Sequence, residues 1–111
     1  MSQWKIVYTE QAERDLRSIF EYIAFCLLEP ETAKNQSRRI MDAVAKLNDM
    51  PLRYPLYETE PWFSKGLRVL PIDNYLVFYL PVQVKMTVAV IRLMYGGRNI
   101  EEQLRQTDAG V

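Results

Sequence analysis

The stretch VAVIRLMYGGRNIEEQL, residues 88–104, joins a long apolar run to a glycine pair and then to a polar segment. The apolar run is rich in β-branched residues and predicts a buried strand that ends at Tyr95. The glycine pair predicts a sharp turn or a close backbone approach, and Arg98 follows it directly. Residues 100–106 are expected to form a short final helix. Because loops carried by rigid elements often hold functional side chains, we expect Arg98 to belong to a functional site.

Two more strand-like runs precede this one, so that runs at 67–72, 75–80 and 86–95 follow each other closely. An Asp-Asn pair supplies the turn between the first two runs, and residues 81–85 supply the turn before the third. Strands joined by such short turns pair in antiparallel fashion. The C-terminal half therefore predicts a three-stranded antiparallel meander.

The N-terminal half predicts one strand and two helices. Residues 4–8 read WKIVY, which is typical of a strand. Thr9 is a good N-cap for a helix whose apolar residues recur at helical spacing until about Leu28. Pro30 ends this helix and opens a second one, which finishes before Pro51. So short a connection predicts an antiparallel helical hairpin.

Residues 51–66 hold three prolines and several aromatic residues without a helical or strand period. This composition predicts a loop that packs against the core. In chain order the elements are an N-terminal strand, an antiparallel helical hairpin, the meander packed on the hairpin, and a short C-terminal helix. We therefore predict an α+β fold in which residues 1–111 form a single domain.

The residue types present exclude several classes of chemistry. The chain has no histidine and a single cysteine, Cys26, so we expect no internal disulfide, no metal site and no cofactor. A general base would have to be a carboxylate, a tyrosine or a lysine with a shifted pKa. No apolar run approaches the length of about 18 residues that spans a membrane, and the N-terminus lacks the apolar segment of a signal peptide. We expect a soluble cytoplasmic protein without a membrane partner.

The formal net charge of zero hides an uneven distribution of charged residues. Residues 1–60 carry a formal charge of −2, whereas residues 62–100 carry +4. This imbalance favours an acidic partner for the C-terminal half, but it is far from the strongly basic character of a dedicated nucleic-acid binder.

An arginine in the middle of the last strand predicts that one face of the sheet is open. Strict alternation along residues 86–95 places Val88, Val90, Arg92 and Met94 on one face, and Ala89, Ile91, Leu93 and Tyr95 on the other. Arginine and tyrosine together suit phosphate contact and stacking, or the centre of a protein interface. The candidates for such a site are Arg68, Tyr75, Tyr79, Arg92, Tyr95 and Arg98.

Each candidate also has a structural alternative. Arg68 and Arg92 are alternatively solvated strand charges, or they are the partners of Glu58, Glu60 or Glu101. The strand tyrosines are alternatively packing residues, and the glycine pair serves the turn.

The segments KIVYTEQAERDLRSIFEYIA (5–24), DNYLVFYL (73–80) and VIRLMYGGRNI (90–100) together resemble the RelE/ParE superfamily of bacterial toxins, from type II toxin-antitoxin systems of the plasmid-stabilisation type. The resemblance runs in order over about residues 4–104. It implies a small sheet with an α-hairpin. It also implies a cognate antitoxin as partner, expected to wrap the toxin with a helix and an added strand.

The superfamily contains two kinds of toxin, and the residues of this chain resemble one more than the other. Ribonuclease members cut mRNA on the ribosome, whereas ParE members inhibit DNA gyrase. Leu76 stands where the ribonuclease pattern has an arginine, and Leu104 stands where it often has a tyrosine. Arg98 matches the arginine that closes the last strand in both branches.

The resemblance therefore implies a ParE-like gyrase poison. Its expected target-binding residues are Arg68, Tyr79, Arg92, Tyr95 and Arg98. One alternative is a metal-independent mRNA endoribonuclease in which Arg68, Arg92, Tyr95 and Arg98 are catalytic. The other alternative is a non-toxic scaffold that has kept the fold.

Overall fold

The computed structural model describes residues 3–97 and 99–107. Along the chain, a helical hairpin follows the first strand and precedes the three later strands, and a short helix follows the last strand. The strands and helices are β1 (Lys5–Tyr8), α1 (Glu10–Glu21), a π-helical turn (Tyr22–Cys26), α2 (Pro30–Ala45), α3 (Trp62–Lys65), β2 (Arg68–Ile72), β3 (Tyr75–Val82), β4 (Thr87–Tyr95) and α4 (Ile100–Arg105).

The four strands form one sheet in the order β1-β4-β3-β2. The last three strands form the predicted antiparallel meander, while β1 pairs with β4 in parallel, with Lys5 opposite Thr87. A parallel pair needs a long crossover, which the helical hairpin provides. The predicted α+β fold is confirmed, with the first strand incorporated beside the last.

Thr9 links the start of α1 to the centre of the sheet. Its side-chain oxygen accepts a hydrogen bond from the backbone N–H of Ala12 at 3.1 Å, as an N-cap should. Its hydroxyl also donates to the carbonyl of Ile91 at 3.2 Å. These two bonds fix the position of the first turn of α1 relative to β4 and the face of the helix that packs against this strand.

The first helix ends earlier than the sequence predicts. Regular α-helix stops at Glu21 rather than near Leu28, and the chain widens into a π-helical turn in which the N–H of Leu27 donates to the carbonyl of Tyr22 at 3.0 Å. The wider turn buries two consecutive side chains, Ile23 and Ala24, in one small cluster with Ala33 of α2. Regular α-helical spacing would separate them by about 100°.

Both faces of the sheet are covered, which contradicts the predicted open face. The hairpin packs on one face, where Ile40 and Val44 meet strand residues such as Val90. The segment 51–66 and α4 cover the other face with Trp62 and Leu104. The indole N–H of Trp62 donates to the carbonyl of Leu104 at 3.1 Å, so the two covering segments also hold each other.

A β-bulge in β4 overturns the predicted alternation of side chains. Phe78 lies opposite Arg92 but its neighbour Tyr79 lies opposite Val90, so one residue of β4 is extra. Beyond the bulge the two faces exchange. Leu93 joins the cluster under the hairpin, and Met94 joins the cluster under α4.

Within the described residues, no helix combines the length and apolar character needed to cross a bilayer.

Candidate functional site

A groove of about 680 Å³ opens at the carboxyl end of β4. Its walls come from α1 and the π-helical turn on one side, and from the ends of β3 and β4 with α4 on the other. The residues that line it are Asp15, Ser18, Ile19, Tyr22, Ile23, Leu27, Tyr75, Arg92, Leu93, Met94, Tyr95 and Gln103.

Three tyrosines form the rim of this groove. Tyr95 and Tyr22 are 51% and 57% exposed, and Tyr75, the cross-strand partner of Tyr95, is half-buried. The rings of Tyr75 and Tyr95 meet edge to face, with centroids 5.9 Å apart. Burial, and then the nearby phenols of Tyr95 and Tyr22, raise the pKa of Tyr75. The rim offers aromatic surface with hydroxyl groups, which suits contact with a partner.

The glycine pair allows the turn to close against the rim. The N–H of Gly96 donates to the carbonyl of Asn74 at 2.8 Å, which ties the turn to the neighbouring strand connection. A Cβ atom on Gly97 would lie 2.8 Å from Cε2 of the Tyr95 ring. No real Cβ contact is that short, so any side chain at Gly97 would displace the ring. Glycine thus allows the close approach to the Tyr95 ring seen here.

A buried ion pair forms the floor of the groove. The side chains of Arg92 and Asp15 are each only 10% exposed. Nε of Arg92 donates to Oδ2 of Asp15 at 2.6 Å, and Nη2 donates to Oδ1 at 3.0 Å. The same carboxylate accepts the backbone N–H of Leu93 at 3.0 Å. The partner of Arg92 is therefore Asp15. Arg92 is not a solvated charge, and it does not pair with any of the three glutamates that the sequence suggested.

Arg92 also contacts α4 and the residue after its C-cap. Nη1 donates to the hydroxyl of Thr107 at 2.9 Å and to the carbonyl of Gln103 at 3.4 Å, and Nη2 donates to Oε1 of Gln103 at 3.5 Å. Together with the two bonds to Asp15, these contacts occupy all five N–H groups of the guanidinium.

Arg68 and Tyr79 lie away from the groove, as cross-strand neighbours on β2 and β3. The hydroxyl of the fully buried Tyr79 donates to the carbonyl of Pro51 at 2.6 Å. Nη1 of Arg68 donates to the carbonyls of Leu52 and Tyr54 at 2.9 and 2.6 Å. Burial raises the pKa of Tyr79 to about 12. Both side chains hold the loop that follows α2.

The structure thus brings Arg92 and Tyr95 together at the groove and places Arg68 and Tyr79 elsewhere. Tyr79 lies opposite a residue five positions before Tyr95 on β4, which is roughly 17 Å along a strand. Arg98 lies outside the described residues. The roles of all five residues in target binding stay predictions.

Two groove residues escaped the sequence analysis, Asp15 and Tyr22, whereas Tyr75 was among the tyrosines that it named. The signal for Asp15 was present, because it precedes the apolar Leu16 and therefore lies beside the buried face of the first helix. A mid-strand arginine on a covered sheet requires a carboxylate partner, and Asp15 is well placed to supply it. Tyr22 follows Asp15 by seven positions, so helical spacing places both residues on the same side of the first helix.

The described part of the chain contains no group of three or more His, Cys, Asp and Glu side chains placed to hold a metal ion. The groove offers an aromatic rim over a neutralised ion pair. Such an arrangement suits binding of a complementary surface.

The model of a known protein family, described as the ParE toxin of the type II toxin-antitoxin system parDE, matches residues 6–100. No curated protein sequence gives a significant match.

Solved structures of toxin-antitoxin proteins have the same fold. A chain of the chromosomal ParDE system from P. aeruginosa superposes with a TM-score of 0.68 at 21% identity, covering 84% of this chain and 96% of that one. A chain of the RelBE2 toxin-antitoxin complex from Mycobacterium tuberculosis gives 0.61 at 20% identity, covering 86% and 93%. The isolated E. coli RelE toxin gives 0.54 at 11% identity, covering 93% and 96%.

Proposed function

This chain belongs to the ParE toxin family of type II toxin-antitoxin systems, and from that premise we propose that it arrests growth by poisoning DNA gyrase. The observation that carries the proposal is the state of the candidate catalytic groups. Ribosome-dependent cleavage of mRNA needs cations on phosphates, a base for the 2′-hydroxyl and an acid for the leaving oxygen. All five N–H groups of Arg92 are already bonded within the protein, so this candidate catalytic arginine has none left to bind a phosphate of mRNA.

The tyrosine rim supports binding as the mode of action. Tyr22 and Tyr95 are more than half exposed and stand over a groove rather than on a flat surface. Tyrosine is enriched among the residues that dominate protein-protein affinity, because its ring is large and rigid and its hydroxyl forms hydrogen bonds. Inhibition of gyrase requires such a contact surface and no acid or base. We place the target contact at this rim and at Arg98.

We further infer that a cognate antitoxin neutralises the toxin in the cytoplasm. A second groove, about 470 Å³ and more open, runs along the hairpin and is lined by the apolar side chains of Leu16, Phe20 and Met41. An amphipathic helix binds a groove of this kind through its apolar face. The relatives of P. aeruginosa and M. tuberculosis are toxin-antitoxin systems, which supports the same partnership here.

Two assays on the purified protein test the target. We expect the toxin to block DNA supercoiling by gyrase and to leave mRNA intact in a translating extract, as read by primer extension. Tyr95→Ala should weaken the block at least tenfold. Phe63→Ala is the matched control, because Phe63 is 43% exposed and lies outside the groove.

Codon-linked mRNA cleavage with unaffected supercoiling would overturn the choice of target and favour the endoribonuclease. Normal growth during strong soluble expression would favour a non-toxic scaffold. Co-expression of a small acidic protein encoded beside the toxin should restore growth if the antitoxin inference is correct.

A further inference from the structure

We propose that Asp15 is a positioning residue, which acts through Arg92 to hold α4, whose Gln103 lines the groove, in the orientation that the target contacts. This inference rests on the proposed function, because it assumes that the groove and its rim contact a target. It assigns to Arg92 an internal task instead of the predicted contact with the target.

The first step is that Asp15 fixes Arg92. Its two carboxylate oxygens accept from Nε and Nη2, a paired geometry that sets both the place and the plane of the guanidinium. A third bond, from the backbone N–H of Leu93, fixes the carboxylate itself. The pair joins α1 to β4 across 77 positions of the sequence.

The second step is that Arg92 fixes α4. Its guanidinium reaches the carbonyl of Gln103 and the hydroxyl of Thr107, which in turn donates to the same carbonyl at 2.7 Å. A helix of six residues has no stability of its own in water, so tertiary contacts decide where it lies. Further anchors of α4 include the packing of Ile100, the buried side chain of Leu104 and the bond from Trp62 to the Leu104 carbonyl.

The third step is that α4 fixes the residue before it. Asn99 caps α4 by accepting the N–H of Glu102 at 3.4 Å, so it follows any displacement of the helix. The predicted contact residue Arg98 directly precedes Asn99 in the sequence. Gln103 of α4 lines the groove itself.

The decisive variants remove the link without leaving a buried charge. Asp15→Leu combined with Arg92→Met removes both charges, and such replacements of a buried pair often preserve stability. Thr107→Val keeps the Asp15–Arg92 pair and removes one bond from Arg92 to the segment after α4. Glu10→Ala combined with Arg14→Ala is the control, because it removes an exposed ion pair from the same helix.

Three quantities are measured for each protein: the melting temperature, hydrogen exchange of the amides of residues 103–107, and the concentration that half-inhibits supercoiling. In the double variant we expect these amides to exchange at least tenfold faster and the half-inhibiting concentration to rise at least tenfold, at a temperature where the protein is fully folded. Thr107→Val should move both quantities in the same direction by a smaller factor. The control should move neither.

A folded double variant that inhibits like the wild type, or whose residues 103–107 exchange like those of the wild type, overturns the proposal. If the double variant does not fold, Thr107→Val decides by the same criteria. A wild type that arrests growth without affecting gyrase overturns only the target, and the variants are then compared by growth arrest. A wild type without any toxicity overturns the proposed function and this inference together.

Discussion

On the β2–β3 side of the sheet, Arg68 and Tyr79 hold the loop after α2, whereas at the end of β4 an arginine lies beneath a groove and Tyr95 stands at its rim. The two regions use the same residue types. In the first, the phenol and one arginine nitrogen donate to backbone carbonyls of a single loop. In the second, Arg92 forms all of its hydrogen bonds within the protein, while the ring of Tyr95 stays half exposed.

This difference shows that residue type does not distinguish a structural tyrosine from a contact tyrosine. The distinction lies in which group accepts a hydrogen bond from the hydroxyl and in how much of the ring is exposed to solvent. Tyr79 is fully buried with an acceptor at 2.6 Å, and Tyr95 is 51% exposed. We therefore expect substitutions in the two regions to affect stability and target inhibition in different proportions.

The largest effect on stability is expected for Arg92→Ala. This change leaves the carboxylate of Asp15 buried without its cation, and breaking a buried pair in this way typically costs about 3–5 kcal/mol. Urea denaturation measures the loss, with Arg14→Ala as the control for an exposed pair, where about 1 kcal/mol or less is expected. A loss as small as that of the control would show that Arg92 is not the buried anchor of its region.

A smaller effect is expected for Tyr79→Phe. The variant keeps the ring but leaves the carbonyl of the buried Pro51 without its donor, which costs about 1–3 kcal/mol. Thermal denaturation checks this value, and Tyr95→Phe is the matched control on the exposed ring. Equal losses in the two variants would contradict the comparison between the regions.

The same variant should alter the alkaline limit of stability. The pKa of Tyr79 is raised to about 12 in the folded protein, whereas an unfolded tyrosine titrates near 10. The folded state therefore holds this proton more tightly, so the free energy of unfolding falls as pH rises between those two values. Denaturation followed from pH 9 to about pH 12 should show a shallower decline in Tyr79→Phe than in the wild type. Parallel declines would mean that Tyr79 is not buried as described.

The smallest effect on stability is expected for Tyr95→Ala, less than about 1 kcal/mol, because half of the ring already meets water. Inhibition of the target should nevertheless fall at least tenfold in this variant. Thermal melting and the supercoiling assay are read on the same preparation. A variant that loses stability and keeps its inhibition would place Tyr95 with the structural tyrosines.

Local signals in the sequence were enough for most of the fold. The Thr9 cap, the proline that opens α2 and the first turn of the meander each act over a few residues and lie where they were predicted. The second turn is shorter than predicted, because β3 continues to Val82. The family match over residues 6–100 confirms the superfamily that the sequence resembles. These features depend on backbone preferences that neighbouring residues reveal.

The features that the sequence did not reveal arise from contacts between distant segments. The bulge opposite Phe78 and Tyr79 shifts the face of every later residue of β4, and no local pattern marks it. The covered second face depends on Trp62 meeting Leu104, two residues from separate segments. The sequence therefore named Arg92 and Tyr95 as candidates, whose roles stay predictions, but it revealed neither the burial of Arg92 nor its partner Asp15.

The place of β4 in the sheet has a consequence for synthesis of the protein. This strand is the partner of both β1 and β3, although it is the last strand to be translated. A nascent chain that ends before Thr87 holds a first strand without its neighbour and a meander without its last strand. The sheet can then close only after residues 87–95 have left the ribosome, and pairing over such long sequence separations is itself slow. The groove at the carboxyl end of β4 therefore forms only after this strand has paired with both of its neighbours.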